Sequence, residues 1–396
     1  MDGSSSGARP LRIAFLTSDD ARLPIAWSGT PYFMARALSR ECGEVVHLGP
    51  VFSAIDLVGR VRSRLSARLA GRAIAHDHGL ALAREYGWRF ASRIPPDADL
   101  VVAPAGSTQI AFLKTDVPIL YTSDATFALM HGYHPLYSDL PERYVREAHE
   151  IERRALARAA LVVYPSEWAA RSARSDYGVP AEKIRVIPYG ANLTRVPPRE
   201  AALAAEREEL RLLFVGGNWE RKGGPLAFDV ALALREAGWP ARLTVCGCVP
   251  PSRYRADWVE VIPRLDKRKP EEEERLSRLM LQAAFLILPS LNECFGIVFC
   301  EASAHGTPSI ATDTGGIAGA VRHGENGFLL PVGAGPGDFA RKITEAFQDR
   351  DRYRRLVVGS RDAYESRLNW TTWARSACEA ARGVVERGGP RGTLKY

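Results

Sequence analysis

This sequence of 396 residues has no long apolar run and only a small excess of charge of one sign. No stretch approaches the roughly 18 uninterrupted apolar residues of a membrane-spanning helix, which excludes a multi-spanning membrane protein. The formal net charge is +7, and residues 1–200 carry 25 basic against 21 acidic side chains. Because the basic charge is spread over both halves of the chain, we expect no nucleic-acid partner.

Cysteine is also rare, with six residues scattered along the chain and no pair at metal-ligand spacing. Cys246 and Cys248 flank a single glycine and are one residue too close for a CxxC motif. Residues 1–10 are small and polar, and no apolar run of signal-peptide type follows them. We therefore expect a flexible tail over 1–10, reduced thiols, no bound metal and a cytoplasmic protein.

Short apolar strand patterns alternate with helix patterns along most of the remaining chain. This alternation indicates βαβ units and parallel sheets, so the predicted fold class is α/β. The pattern breaks at the proline-rich stretch IPYGANLTRVPPRE, residues 187–200, and then resumes. We predict two Rossmann-like, doubly wound domains that face each other across a cleft, over 11–195 and 196–369. A helix within 370–396 is predicted to pack back towards the N-terminal domain.

The stretch PSLNECFGIVFCEASAHGTPSIATDTGG, residues 289–316, places carboxylates on both sides of a predicted helix start. Glu293 lies in the loop after a strand, Gly296 opens the helix, and Glu301 lies on the helix itself. Backbone N–H groups at a helix start bind anions, and carboxylates accept hydrogen bonds from sugar hydroxyls. One interpretation is therefore a diphosphate site between two acids. The alternative is that the acids only complement the helix dipole.

A second stretch, LFVGGNWERKGGPLAFDVALALREAG over 213–238, runs from a buried strand through a glycine-rich turn into a helix. Gly216 and Gly217 let the backbone approach a ligand, and Arg221 and Lys222 place two cations before the helix start. This layout suits a phosphate, although it lacks the glycine spacing of a P-loop. A solvated turn with two basic side chains is the alternative interpretation.

In combination, the two acids with seven residues between them, the Arg-Lys-Gly turn and the pair Gly315-Gly316 resemble glycosyltransferase family four, the glycosyl transferases of group one. The stretch over 164–192 resembles the interdomain passage of that family. The resemblance implies the two-domain GT-B fold and a retaining enzyme that uses a nucleoside diphosphate sugar. Members typically work without a metal, so no cofactor is expected besides this donor co-substrate.

The resemblance also assigns roles to single residues. It implies that Lys222 and Arg221 neutralise the departing diphosphate, that Glu293 holds hydroxyls of the donor sugar, and that Glu301 holds the ribose hydroxyls. Further donor contacts are implied for Gly216, Gly217, Asn218, Phe295, Gly296, Ile297 and Val298. Many relatives have an arginine where this sequence has Gly217, and Arg221 is expected to supply the missing charge.

By the same resemblance, the N-terminal domain binds the acceptor, whose identity is unknown. A first loop places Gly29 and Thr30 ahead of a helix, where the family's loop approaches the donor phosphate and the acceptor. Asp124 stands where many relatives have a histidine, and it is the candidate that orients or deprotonates the acceptor hydroxyl. The alternative is that Asp124 caps the turn with Thr126.

One segment is locally basic, with no acid between Asp56 and Asp77. Its arginines are Arg60, Arg62, Arg64, Arg68 and Arg72. Apolar residues recur beside them every three or four positions, as on an amphipathic helix. Such a helix suits an anionic membrane surface, which would place the protein peripherally on the inner face of a membrane. A core-facing helix with a solvated basic side is the alternative.

These observations predict a metal-independent, retaining glycosyltransferase. It would move a hexose-type sugar from a UDP- or GDP-sugar to an acceptor hydroxyl. Two alternatives stay open: a GT-B-fold sugar-nucleotide epimerase or phosphorylase, and a non-enzymatic, two-lobed sugar-binding protein.

Overall fold

The computed structural model describes residues 9–71 and 75–387, which form two compact α/β units. Unit 1 comprises the described residues up to 164, together with 169–187 and 374–387, whereas unit 2 comprises 165–168 and 188–373. Each unit contains one six-stranded parallel sheet flanked by helices. The predicted fold class, α/β with two doubly wound domains, is confirmed.

The sheet of unit 1 is built from short apolar strands, and its central strands are buried along their whole length. The strands are β1 (Leu11–Phe15), β2 (Gly43–His47), β3 (Leu100–Pro104), β4 (Ile119–Thr122), β5 (Leu161–Tyr164) and β6 (Ile184–Val186). Their order is β2-β1-β3-β4-β5-β6. The chain therefore leaves β1 in one direction and β3 in the other, which opens a crevice beyond the carboxyl ends of these two strands.

The sheet of unit 2 follows the same logic with a different strand order. Its strands are β7 (Arg211–Val215), β8 (Arg242–Cys246), β9 (Val259–Ile262), β10 (Phe285–Leu288), β11 (Ser309–Thr312) and β12 (Gly327–Leu330). Their order is β12-β11-β10-β7-β8-β9, which is the Rossmann order. Its reversal lies between β7 and β10, where Leu213 is in register with Leu286.

Helices connect the strands in both units. They are α1 (Thr30–Glu41), α2 (Ala54–Ala70), α3 (Leu80–Ala91), α4 (Ser107–Ile110), α5 (Phe127–Met130), α6 (Glu142–Arg158), α7 (Glu167–Ser175), α8 (Arg199–Ala204), α9 (Gly224–Glu236), α10 (Pro270–Gln282), α11 (Ile297–Ala304), α12 (Pro336–Gln348), α13 (Arg350–Ser366) and α14 (Trp370–Arg387). Within the described ranges, none of these helices combines the length and the apolar character needed to cross a membrane.

Two helices bear directly on the predictions from sequence. None of the residues of α2 is buried, so the alternative of a core-facing basic helix is wrong. Arg72, the last arginine of that segment, lies outside the described residues. Within unit 1, α14 contacts the end of α1, since the thiol of Cys42 donates to the carbonyl of Ala374 at 3.6 Å.

A buried arginine joins the chain before β7 to the body of unit 2. Arg207 is 4% exposed, and burial lowers the pKa of its guanidinium group. Its Nε donates to the carbonyl of Ala283 at 3.1 Å, and its two terminal nitrogens donate to the carbonyls of Ala205 and His305 at 3.2 and 2.8 Å. These bonds connect the segment before β7 with the segments before β10 and after α11.

We expect Arg207→Met to lower the free energy of unfolding by about 2–4 kcal/mol, because several buried carbonyls lose their donors at once. Arg242→Met on the exposed side of β8 is the matched control and should change stability by about 0.5 kcal/mol or less. Urea denaturation of both variants measures the difference. Equal effects of the two substitutions would show that the bonds of Arg207 contribute nothing specific.

Candidate active site

The loops after β7 and β10 are hydrogen-bonded to each other at the strand reversal of unit 2. The backbone N–H of Leu291 donates to the carbonyl of Arg221 at 2.9 Å. In return, the guanidinium of Arg221 donates to the carbonyl of Asn292, also at 2.9 Å. The glycine-rich turn and the acidic loop, which are about 70 residues apart in sequence, therefore form one surface.

Gly223 makes this close approach of the two loops possible. Its φ is +75°, a backbone conformation that favours glycine. A Cβ at this position would lie 1.9 Å from the carbonyl oxygen of Pro289. A larger residue would force the two loops apart.

The approach of the loops brings Lys222 and Glu293 into a direct ion pair. Their side chains are only 14% and 11% exposed, so little water screens the pair. Separating the two groups without a replacement would leave a partly buried charge unpaired, which is costly. A ligand can replace both partners if it offers a negative charge to Lys222 and hydroxyl donors to Glu293.

The other predicted residues of the glycine-rich turn lie around this pair. Gly216 lies beneath Lys222, and a Cβ there would come within 3.1 Å of Lys222 Cγ. Asn218 accepts the backbone N–H of Arg221 at 2.8 Å, which fixes the turn. Gly217 is exposed, and a Cβ at this position would meet no atom within 4 Å.

Helix α11 starts directly after the acidic loop. Gly296, with φ +84°, precedes it, and a Cβ there would lie 2.6 Å from the ring of Phe299. Ile297 and Val298 form the half-buried first turn, where backbone N–H groups have no partner within the helix. Phe295 is buried, with its ring edge-on to Tyr189 at 5.6 Å between centroids.

Glu301 lies just over one turn into α11 and is 3% exposed. Burial raises the pKa of this carboxyl group, although the ion pair with Lys267 and the backbone N–H of Asn192 act against the rise. The loop after β9 supplies Lys267. The sequence analysis identified Glu301 but missed its partner, because nothing in the local pattern distinguishes this lysine from the charged residues around it.

The sequence analysis also missed His305, a second buried group one helical turn after Glu301. His305 is fully buried, and burial lowers the pKa of its imidazole to about 4. Nδ1 lies 2.8 Å from the carbonyl of Glu301, which can only accept, so Nδ1 carries the proton. Nε2 then accepts from the hydroxyl of Ser277 at 2.9 Å. This neutral imidazole ties α11 to α10.

The acceptor-side candidates belong to unit 1, where Gly29 and Thr30 follow β1 and Asp124 follows β4. Gly29 has φ +87°, and Thr30 is fully buried at the start of α1. Asp124 is half-buried beyond the carboxyl end of β4. The hydroxyl of Thr126 accepts the N–H of Leu129 at 3.4 Å and caps α5.

A polar cavity of about 450 Å³ lies at the strand reversal of unit 1. Its wall includes Asp19 after β1, Ala105 and Gln109 after β3, and Arg60 and Arg64 from α2. Ala105 has φ +47°, which is strained for a residue with a Cβ. Within the described chain, the buried Oε1 of Gln109 has no hydrogen-bond partner. The sequence analysis did not identify this cavity.

A hydrogen-bonded cluster lies at one side of this cavity. Asp77 contacts His78 at 3.1 Å and accepts the hydroxyls of Tyr137 and Tyr144, each at 2.8 Å. Burial alone would raise the pKa of Asp77, but His78 and the two hydroxyls hold it well below its usual range. In the same cluster, burial raises the pKa of Glu152 to about 7.

The structure therefore pairs Lys222 with Glu293, bonds Arg221 to the backbone of the same acidic loop, and places Glu301 on the helix that follows. Two known families match parts of the chain. Residues 209–349 match the family described as "Glycosyl transferases group 1", and residues 104–195 match "Glycosyltransferase Family 4".

Curated relatives include the D-inositol 3-phosphate glycosyltransferases of Nocardia farcinica and Corynebacterium efficiens. The former is 31% identical over 69% of this chain and 64% of its own length, and the latter is 28% identical over 87% and 83%. The chain thus spans slightly less than two thirds of the Nocardia protein.

Among solved structures, the sucrose-phosphate synthase of Thermosynechococcus elongatus has a TM-score of 0.68 at 17% identity and covers 96% of this chain and 100% of its own. Anabaena HepE in complex with UDP has a TM-score of 0.61 at 17% identity and covers 94% and 100%. At these identities the likeness concerns the fold.

The raised pKa of Glu152 leads to a pH-dependent stability. The folded chain keeps the proton of Glu152 up to about pH 7, whereas an unfolded chain loses it near the usual 4.5. Stability is therefore lost as the pH rises from about 4.5 to 7, and Glu152→Gln removes this loss. We expect the free energy of unfolding of the variant, relative to that of wild type, to rise by about 2 kcal/mol as the pH goes from 5 to 8.5.

Thermal unfolding at both pH values measures the gain. Glu150→Gln is the control on the same helix, because ion pairs with Arg153 and Arg154 lower the pKa of Glu150, which is ionised throughout this range. A constant difference between Glu152→Gln and wild type at both pH values would contradict the prediction.

Proposed function

Because the chain belongs to the glycosyl transferases of group 1, glycosyltransferase family 4, we propose that it transfers a hexose-type sugar from a nucleoside diphosphate sugar to an acceptor hydroxyl with retention of configuration. The ion pair of Lys222 and Glu293 at the strand reversal of unit 2 carries the proposal. It places one cation and one hydroxyl acceptor where open parallel sheets bind their ligands.

Each partner of this pair has a task when the donor is bound. Lys222 turns to the diphosphate and stabilises the negative charge that grows on it as the bond to the anomeric carbon breaks. Glu293 then accepts hydrogen bonds from hydroxyls of the sugar. The acceptor oxygen attacks from the face that the diphosphate leaves, and its proton passes to an oxygen of the departing diphosphate. The products are the glycoside and the nucleoside diphosphate.

The rest of the donor follows the path of the loops. The backbone N–H groups at Ile297 and Val298 donate to the sugar and the phosphates, helped by the positive end of α11. Glu301 accepts the ribose hydroxyls in exchange for Lys267. A uridine donor is favoured because the solved neighbours include HepE in complex with UDP and with UDP-glucose.

We also propose that the reaction needs no metal. Lys222, Arg221 and the start of α11 together supply positive charge around the diphosphate, which is the electrostatic role that a divalent cation has in other transferases. This arrangement consists of fixed groups on two hydrogen-bonded loops, so it costs little reorganisation during the reaction.

For the acceptor, we propose a phosphorylated polyol bound in the cavity of unit 1. The named relatives act on D-inositol 3-phosphate, and the cavity offers matching chemistry. Arg64 has no ion pair to any described acid and can bind a phosphate, whereas Arg60 is already paired with Asp56. The unpartnered Oε1 of Gln109 and the carboxylate of Asp19 can accept hydroxyls.

We expect Lys222→Ala to lower kcat/KM about 100- to 1000-fold, since it removes a cation that acts on the charge of the transition state. The donor for this assay is the UDP-, GDP- or ADP-sugar that raises the melting temperature most, measured in EDTA. Lys342→Ala on α12 is the control, since this lysine pairs with Glu345 on its own helix. Unchanged turnover of Lys222→Ala would refute the role of the lysine.

We expect Arg64→Gln to raise the KM for D-inositol 3-phosphate about tenfold and to leave the KM for the donor unchanged. The reason is that one charge-assisted bond to the phosphate is lost. Wild type and variant should use unphosphorylated inositol as an acceptor equally poorly. A donor KM that rises together with the acceptor KM would place Arg64 at the nucleotide instead.

A further inference from the structure

Helix α2 turns its polar side towards unit 1 and its apolar side towards solvent, which is the reverse of an ordinary surface helix. It is 17 residues long and is capped by Ser53, whose hydroxyl oxygen accepts the N–H of Asp56 at 3.1 Å. Its polar side faces the unit: Arg60 lies 3.3 Å from Asp19, Asp56 lies 3.5 Å from His76, and Gly59 lies against the ring of His76. Ser63 and Arg64 complete this side at the cavity.

The apolar side of α2 faces solvent. Val58, Val61, Leu65 and Leu69 recur at spacings of three and four, so they form one stripe along the helix. Their exposed fractions are 58%, 54%, 54% and 79%. Scattered exposed apolar residues are normal, but a continuous stripe of this kind marks a surface that contacts something else.

Cations flank the stripe on both sides. At 100° per residue, Arg62 and Arg68 fall on opposite edges of the stripe, and both are exposed. Among the described residues, neither has an ion pair with an acid. The segment between Asp56 and Asp77 contains no acid, so the outward side of α2 is purely cationic and apolar.

We propose that the outward side of α2, defined by Val58, Val61, Leu65 and Leu69 with Arg62 and Arg68 at its edges, docks onto an anionic lipid bilayer. The apolar stripe enters the boundary between headgroups and acyl chains, and the arginines extend to the lipid phosphates. A second copy of the chain fits less well, because two such surfaces would bring like charges together. The inference concerns where the protein works and is independent of the reaction it catalyses.

The test is flotation with vesicles of phosphatidylcholine alone and with about one third phosphatidylglycerol. Wild type should float with the anionic vesicles and remain in the soluble fraction with vesicles of phosphatidylcholine alone. Arg62→Gln with Arg68→Gln should lower the partition coefficient about 30-fold, since each surface cation contributes roughly fivefold. Added salt should also weaken binding of the wild type to the anionic vesicles, because it screens the attraction between arginines and lipid phosphates.

A second variant addresses the apolar stripe. Val58→Ser with Leu65→Ser should lower the partition coefficient at least tenfold, because both side chains leave the membrane boundary. The control for charge is Arg143→Gln with Arg146→Gln, which removes two arginines that are 85% and 70% exposed on α6. This control should bind vesicles like wild type, and all variants should keep the donor-induced thermal shift.

Two results would overturn the proposal. One is binding that does not depend on anionic lipid or that survives both α2 variants. The other is a wild type that ignores vesicles but sediments as a dimer, with Val58→Ser and Leu65→Ser restoring the monomer. Analytical ultracentrifugation of the same samples separates self-association from membrane docking.

Discussion

The bond between the loops after β7 and β10 is the constraint on which the candidate site depends. Strand order places the carboxyl ends of these strands side by side, and the backbone bond from Leu291 to Arg221 fixes the loops at contact distance. Gly223 is required because a Cβ would collide with Pro289. The ion pair of Lys222 and Glu293 follows from this approach, since both side chains extend from loops that are already joined.

Such a site carries its charges in a prearranged form. Lys222 and Glu293 neutralise each other, and so do Lys267 and Glu301, which reduces the cost of keeping four charged groups partly buried. A nucleotide sugar offers anionic phosphates to the lysines and hydroxyls to the acids. Binding then exchanges one set of partners for another, rather than burying new charge without compensation.

The sequence was sufficient for the parts of the molecule that depend on local pattern. Alternating strands and helices predicted the α/β class, and spacing and resemblance singled out Lys222 and Glu293, which the structure brings into an ion pair. The edge strands β6 and β12 were not predicted, because two of the three residues of β6 are exposed and β12 begins with a glycine that interrupts the apolar pattern. Lys267, Gln109 and Glu152 were missed for another reason. Their surroundings are made by segments far apart in the chain, and only the strand order brings these together.

Helix α2 shows why amphipathic character does not by itself determine orientation. The same pattern fits a helix that buries its apolar stripe and one that exposes it, and the choice depends on what the polar side can bind. Here Arg60 lies 3.3 Å from Asp19 and Asp56 lies 3.5 Å from His76, both partners being outside the helix, and Gly59 allows contact with the ring of His76. These contacts fix the polar side inwards, at the wall of the cavity, and therefore turn Leu65 and its neighbours outwards. One helix thus closes a polar cavity on one side and presents an apolar surface on the other.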